Sequence, residues 1–238
     1  MNPAPPRLAL GMDVRDMPIL VVGAGAVAER RVRRLLSHGA TRVTVVAPEA
    51  SPGMLDLAAT HGDNDPKRLT VLLRPVRPED TAGMRLVVTV TDDPAVNAEI
   101  AESARRSGAL VNRADSAGEG DVTFPATMEP GGGLALALLG AEAASPVLSR
   151  WLLRRAVAAL PAELDDLVSF MELARASLSD LPSALRARRL HMFLEELPWD
   201  ILRSDGPEAA LSALRLPLTD GVAMPVDRSN ETFTDDPQ

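Results

Sequence analysis

Short apolar runs alternate with amphipathic segments along the first half of the chain. The runs are rich in β-branched residues, as are the strands of a buried parallel sheet. Five strands are predicted, over Pro18 to Val22, Arg42 to Ala47, Leu69 to Leu73, Leu86 to Thr91 and Ala109 to Asn112. Because helical patterns separate most of these runs, the first half is predicted to be an α/β domain built on a parallel sheet.

Two of the helical segments carry clear boundary signals. The first runs from about Ala26 to Ser37 and ends before Gly39. Its apolar stripe is formed by Val27, Val32, Leu35 and Leu36, with arginines on the other side. In the later segment, Asp93 is placed as an N-cap and Pro94 at the first helical position, which predicts a helix before the fifth strand.

The pattern changes after Asp115. A glycine turn at 131–133, an apolar run to Leu139 and a helix opening at Ser145-Pro146 come first. Only helices are predicted beyond Pro161, over Ala162 to Ser177, Leu181 to Leu197 and Pro207 to Leu214. The chain is therefore divided into an α/β domain over 1–123, a strand-plus-helix segment over 124–160, a helical domain over 161–216 and a flexible acidic tail over 217–238.

Composition excludes several classes of function. The 238 residues include no cysteine, so disulfides, thiolate metal sites and a cysteine nucleophile are excluded, and three scattered histidines predict no metal site. A net charge of −8 argues against nucleic acid as a partner. Since no apolar run reaches eighteen residues and the start lacks the pattern of a secretory signal, no membrane partner and a cytoplasmic location are expected.

A glycine loop between the first strand and the first helix is the strongest motif. Gly23 permits the tight turn, Gly25 lets a pyrophosphate approach the backbone, and Ala28 allows the helix to pack closely on the strand. The N–H groups at the start of the helix, at Ala26 and Val27, then face the phosphate anion. This G-x-G-x-x-A pattern in its strand–turn–helix context predicts a Rossmann-type dinucleotide site.

The turn after the second strand bears on the choice of dinucleotide. Pro48 and Glu49 follow that strand, and Glu49 can accept hydrogen bonds from ribose hydroxyls. Because no Arg or Lys lies nearby to bind a 2′-phosphate, NAD is favoured over NADP. Glu49 as a plain loop carboxylate without a ligand remains open.

Six segments, taken together, resemble one enzyme family. They are Gly23 to Arg30, Val43 to Glu49, Thr91 to Asn97, Val111 to Asp115, Phe124-Pro125-Ala126 and Ser145 to Arg150. In order and spacing they are similar to the precorrin-2 dehydrogenase/sirohydrochlorin ferrochelatase family, the N-terminal module of siroheme synthases. The match spans about Leu8 to Leu160.

The resemblance implies a fold and a reaction. The fold is a Rossmann-type parallel sheet domain over 1–123, then a small dimerisation segment over 124–160 and an all-helical C-terminal domain, in a homodimer. The reaction is the NAD-dependent oxidation of precorrin-2 to sirohydrochlorin. Gly23, Gly25, Ala26, Val27, Pro48 and Glu49 are implied to contact NAD, with Thr91 and Asp92 where the fourth strand meets the cofactor.

Asp115 is the acid that the resemblance implies to be essential, as the catalytic residue. Oxidation removes a hydride and a proton from the macrocycle, so a carboxylate beside it can serve as base. An aspartate at the carboxyl end of a central strand also lies in the crevice where such sheets bind ligands. The eight carboxylates of precorrin-2 can pair with arginines of the later half. Without the family resemblance, the sequence fits equally well an Asp115 that is a loop carboxylate with no role in catalysis.

Some family members also insert ferrous iron into sirohydrochlorin, and the sequence leaves this second reaction open. Where many members have paired glycines before the helix at Pro146, this chain reads Gly140 to Ala144 with a bulky Glu142, and no serine stands at Ala141. The methyltransferase domain of longer siroheme synthases is not expected, because the chain ends before it.

Two other functions are weighed. An NAD-sensing regulatory module without catalysis needs only the glycine loop, and it leaves the segment from Asn112 to Asp115 unexplained. A dehydrogenase of an amino or hydroxy acid usually needs a catalytic lysine or histidine, and the histidines are predicted on a helix end, a linker and a late helix.

Overall fold

The computed structural model describes residues 8–62, 68–139 and 145–214. Two compact units divide the chain. One comprises Met1–Met128 and Leu136–Ala158, and the other comprises Glu129–Ala135 and Ala159–Gln238. The predicted tail over 217–238 and the segment Gly140 to Ala144 lie outside the described residues. The four-part division of the chain therefore stays a prediction.

The first unit is built on a five-stranded sheet. Its strands are β1 (Ile19–Val22), β2 (Val43–Ala47), β3 (Leu69–Leu73), β4 (Leu86–Thr89) and β5 (Leu110–Arg113). All neighbours are parallel and the order is β3-β2-β1-β4-β5. At the end of β1, Val22 is in register with Val46 on one side and Thr89 on the other. The predicted Rossmann-type fold is confirmed.

Three helices cover this sheet, α1 (Ala26–Ser37), α2 (Pro52–Gly62) and α3 (Pro94–Arg106). Side chains alternate along β1: Val21 packs in one core cluster with Val32 of α1 and Met54 of α2, while Leu20 packs in another with Ile100 of α3. Each apolar side chain removed from water in this way contributes about 1.5–3 kcal/mol. The two-sided burial explains why the strands are continuously apolar.

The predicted start of α3 is confirmed. Asp93 Oδ1 accepts hydrogen bonds from the backbone N–H groups of Ala95, at 2.8 Å, and Val96, at 3.3 Å. Pro94 follows at the first helical position, where a missing N–H costs nothing. This cap fixes where the chain turns from the end of β4 into the helix.

Beyond the sheet lie a hairpin and a run of helices. Strands β6 (Ala126–Gly131) and β7 (Leu134–Leu138) pair in a two-stranded sheet, and α4 (Pro146–Ala158) follows in the first unit. The second unit contains α5 (Leu164–Ser177), α6 (Ser183–Glu195) and α7 (Trp199–Ala213). Its core contains Phe170 and Phe193, whose rings meet edge to face at 6.4 Å. The predicted helical C-terminal region is confirmed.

Within the described residues, no helix combines the length and the apolar character needed to cross a membrane.

Candidate active site

The glycine loop lies where the order of the strands reverses. The N–H of Gly23 donates to Val46 O at 3.0 Å, which joins the loop to the end of β2. Gly23 has φ +107°, and a Cβ there would lie 2.9 Å from Val90 O, just beyond β4. A side chain at this position is therefore excluded both by the backbone conformation and by contact. The loop is pressed into the crevice between β1 and β4, where sheets of this kind bind ligands.

Gly25 leaves room for an anion at the start of α1. It is the N-cap residue, and having no side chain it makes no capping hydrogen bond to the N–H groups of the first turn. Apart from its chain neighbours, no heavy atom of the described residues lies within 4 Å of a Cβ built at Gly25. The exposed residues Ala26 and Val27 follow. This arrangement fits the pyrophosphate of a dinucleotide, since the helix terminus offers N–H donors and a partial positive charge.

The loop after β2 is tied to the glycine loop. Pro48 and Glu49 are exposed there. The N–H of Ser51 donates to Ala24 O at 3.0 Å, and its hydroxyl donates to a carboxylate oxygen of Glu29 at 3.3 Å. These bonds keep the loop that carries Glu49 next to the glycine loop, at the carboxyl edge of the sheet.

Thr91 and Asp92 follow β4, as predicted, but the structure gives Thr91 internal partners. Its hydroxyl donates to Asn97 Oδ1 at 2.8 Å, and Asn97 Nδ2 donates to Thr91 O at 2.9 Å. Asp92 is exposed. The hydroxyl, the N–H and the C=O of Thr91 are thus all engaged within the turn, and the exposed side chain of Asp92 is the part of the predicted pair that a cofactor could contact.

Asp115 follows β5, and the position of that strand differs from the expectation. β5 is at the edge of the five-stranded sheet, so the expectation of a central strand is wrong. The reason is that β4 and β5 both add on one side of β1. The returning chain covers the open edge: the N–H groups of Asp121 and Val122 donate to Val111 O at 2.8 and 3.1 Å. Asp115 still emerges at the carboxyl edge of the sheet that carries the glycine loop.

The carboxylate of Asp115 is held by Arg113. Arg113 Nε donates to Oδ1 at 3.2 Å and its terminal nitrogen donates to Oδ2 at 2.5 Å. Only 9% of the Arg113 side chain and 21% of the Asp115 side chain are exposed. The hydrogen bonds from Arg113 hold the pKa of Asp115 below its ordinary value, against the opposing effect of burial. Asp115 is therefore ionised at neutral pH.

Three residues of the site were not among the predicted site residues. Arg113 orients Asp115 and also pairs with Glu119. Asn97 holds the turn at Thr91 through its side-chain amide. Glu29 fixes the loop at Ser51. The sequence signals were available, since Arg113 and Asn97 stand inside the segments that carry the family resemblance and their partners lie only two to six residues away in sequence.

Replacing Arg113 with methionine is expected to move the acidic limb of the pH profile of the dehydrogenation that the family resemblance implies to higher pH. The guanidinium lowers the pKa of Asp115, so its removal raises that pKa, and the ionised form is then lost at a higher pH. The measurement is kcat/KM against pH. Arg113→Lys, which keeps the charge, should shift the limb less.

The control is Arg105→Met, because Arg105 forms a more exposed ion pair with Asp121 on the same loop. Its acidic limb should coincide with that of the unaltered protein. An acidic limb that stays in place in Arg113→Met would show that this ion pair does not govern the reacting group.

Within the described residues, no group of three or more His, Cys, Asp or Glu side chains is arranged to hold a metal ion.

Comparison with known proteins agrees with this geometry. The sequence profile of the NAD_binding_7 family, described as "Putative NAD(P)-binding", matches residues 10–126. The siroheme synthase of Methylococcus capsulatus is 34% identical over 205 residues, which are 86% of this chain and 40% of that protein. The siroheme synthase of Gluconacetobacter diazotrophicus is 32% identical over 209 residues, again 40% of its length. The chain thus spans about two fifths of these relatives.

A solved structure matches over most of both chains. The protein titled "SirC, precorrin-2 dehydrogenase" has a TM-score of 0.63 and 25% sequence identity, and the match covers 80% of this chain and 90% of that one. The resemblance found in the sequence motifs is confirmed by these matches. The chain belongs to the precorrin-2 dehydrogenase/sirohydrochlorin ferrochelatase family.

Proposed function

We propose that this protein is an NAD-dependent dehydrogenase that oxidises precorrin-2 to sirohydrochlorin. The observation that carries the proposal is that the glycine loop and Asp115 emerge at the same carboxyl edge of one parallel sheet. The likeness to SirC, titled a precorrin-2 dehydrogenase, supports the choice of substrate.

Different residues of the crevice bind different parts of the dinucleotide. Gly23 and Gly25 keep the loop free of side chains, and the N–H groups of Ala26 and Val27 donate to the pyrophosphate. Glu49 accepts from ribose hydroxyls, with Pro48 beside it, and the turn at Thr91 and Asp92 borders the nicotinamide end. When bound, NAD supplies a ring carbon that accepts the hydride.

Asp115 acts on the tetrapyrrole. Its negative charge stabilises the positive charge that develops on the macrocycle as the hydride leaves, and a carboxylate oxygen then takes the proton. The pair with Arg113 keeps the group ionised and its oxygens fixed, at the cost of weakening it as a base. Orientation and charge are therefore its main contributions.

The reaction can be tested with the purified chain, precorrin-2 and NAD under anaerobic conditions. NADH and sirohydrochlorin should rise together in equal amounts. NAD binding without oxidation would support the NAD-sensing alternative instead. Adding ferrous iron to the sirohydrochlorin that is formed measures iron insertion as a separate reaction. The cytoplasmic location stays a prediction.

A homodimer is part of the proposal, and the surface of α4 supports it. Four large apolar side chains of this helix are exposed on one face, Val147, Leu148, Trp151 and Leu152, with 70% of Val147 and 53% of Trp151 accessible. Apolar positions at i, i+1, i+4 and i+5 form a continuous stripe. A second copy of the chain would cover this stripe with its own through two-fold symmetry.

Trp151→Glu is expected to convert the dimer into a monomer, because a carboxylate buried in an apolar interface loses its hydration. Sedimentation velocity checks the result. Leu194→Glu, at another exposed apolar position, is the matched control and should remain dimeric. Unaltered protein that sediments as a monomer would refute the homodimer.

A further inference from the structure

An arginine cluster on α1 lies beside an aromatic ring, outside the residues used so far. The guanidinium carbon of Arg31 is 4.3 Å from the centre of the Phe124 ring, and that of Arg34 is 5.8 Å from it. A terminal nitrogen of Arg34 donates to Pro125 O at 3.0 Å. Arg30 is exposed next to them. The ring and the carbonyl hold two guanidinium groups in place on one side of the helix.

Arg31 is half-buried, and no carboxylate of the described residues pairs with it. Within residues 8–62, 68–139 and 145–214, its side chain forms no ion pair and no hydrogen bond. Burial, together with the positive charges of Arg34 and Arg30, lowers the pKa of Arg31 to about 10. Other arginines of the unit are paired, Arg33 with Glu29 and Arg106 with Glu102.

An unpaired, partly desolvated guanidinium is costly unless an acceptor meets it. Stacking on Phe124 engages the flat face of Arg31 and leaves the N–H groups at its edge. Those donors match an oxyanion, and a carboxylate suits them by its planar geometry. The chain has a net charge of −8, so a local excess of positive charge is a specific feature and not a general property of its surface.

We propose that Arg31, with Arg30 and Arg34, forms a binding site for a carboxylate of the tetrapyrrole substrate. The proposal rests on the proposed function. Arg31 is six residues beyond Gly25, which is about 9 Å along the helix axis from the anion site at its start. One pyrophosphate placed at Gly25 is therefore a poor occupant of this cluster.

The connection to Asp115 favours the substrate as the source of the carboxylate. Asp115 lies near the start of the loop that follows β5, and Phe124 lies near the end of the same loop, just before β6. The loop is anchored to β5 midway, where Asn112 Nδ2 donates to Val122 O at 2.9 Å. One anchored segment thus carries both the proposed catalytic acid and the ring that orients Arg31.

The test uses uroporphyrin III, an octacarboxylate, as a probe of binding to the full chain. Arg31→Met keeps an apolar stem against Phe124 and removes the charge. The dissociation constant for the porphyrin should rise roughly ten- to a hundredfold, as expected for a lost charge-assisted hydrogen bond. The NAD dissociation constant should stay within about twofold. Arg106→Met is the matched control and should change neither constant.

Three outcomes separate the possibilities. Unchanged porphyrin affinity in Arg31→Met would overturn the site, and a loss of NAD affinity alone would assign the cluster to a phosphate of the cofactor and also overturn it. If Arg31→Met does not fold, exposed Arg30→Met is measured in its place, and a porphyrin affinity equal to that of the unaltered protein counts against the site. Porphyrin binding that depends on Arg31 in a protein unable to oxidise precorrin-2 would refute the dehydrogenase and leave the site standing.

Discussion

Asp115→Ala is expected to lower the rate of NADH formation from precorrin-2 by about 10²- to 10⁴-fold, the range of a positioned acid–base group. The structure gives the physical reason. The carboxylate is ionised, fixed by two hydrogen bonds from Arg113, and placed at the ligand-binding edge of the sheet. Its removal takes away both the proton acceptor and the negative charge that faces the macrocycle. Asp115→Asn, which keeps the shape without the charge, should lose nearly as much.

Initial rates of NADH formation give the comparison, together with NAD dissociation constants measured on the same preparations. NAD affinity should be unchanged in Asp115→Ala. The control is Glu119→Gln, because Glu119 is the other carboxylate paired with Arg113 and most of its side chain is exposed. It should keep at least half of the activity. Full activity of Asp115→Ala would remove this residue from the mechanism.

Gly25→Val is expected to weaken NAD binding roughly ten- to a hundredfold without unfolding the protein. Gly25 has an extended backbone, with φ −80° and ψ −174°, which any residue can adopt. The new side chain therefore enters open space and not a packed region. In that space it would meet the pyrophosphate of the proposed site, and a lost charge-assisted hydrogen bond costs about 1.5–3 kcal/mol.

Isothermal titration with NAD measures this loss, and thermal melting shows whether the fold is kept. Gly11→Val is the matched control, since a Cβ at Gly11 also meets nothing within 4 Å of the described residues and lies far along the chain from the loop. Its NAD affinity should equal that of the unaltered protein. An NAD affinity of Gly25→Val equal to that of this control would place the dinucleotide elsewhere.

The sheet could be predicted because its pattern is local. The central strands β1 and β4 are apolar runs buried on both faces, and Asp93-Pro94 marks a helix start that needs no tertiary information. Helix α2 was not predicted, although Ser51 caps it: Met54 N–H donates to Ser51 Oγ at 3.2 Å and Pro52 is the first helical residue. The signal was present, but only Met54 and Leu57 give the helix a buried face.

The errors elsewhere have structural causes. The segment over 124–160 was predicted to contain one strand, whereas the structure has two, β6 and β7. Strand β6 contains Pro130, and a proline argues against a strand unless the strand lies at the edge of a sheet, as it does in this two-stranded sheet. The last helix was predicted to begin at Pro207, whereas α7 extends from Trp199 across a break at Gly206, where φ is +84°. A glycine followed by a proline ends most helices, so the helical turns from Trp199 to the break at Gly206 were not expected.

The candidate site likewise contains residues that could be predicted from local sequence and residues that could not. Gly23 and Gly25 could be predicted because strand, turn and helix are contiguous in sequence. Asp115 has no such local pattern, and its role comes from the family resemblance. Glu29 and Ser51 are 22 residues apart in sequence, so their contact depends on strand order and register.

A crystal structure of the protein with NAD is the measurement that tests most directly whether the glycine loop and Asp115 belong to one active site. The pyrophosphate is expected over Gly25 at the start of α1, with the nicotinamide ring on the side of Asp115. Density for the nicotinamide directed away from Asp115, or for a dinucleotide bound outside the crevice between β1 and β4, would contradict the account.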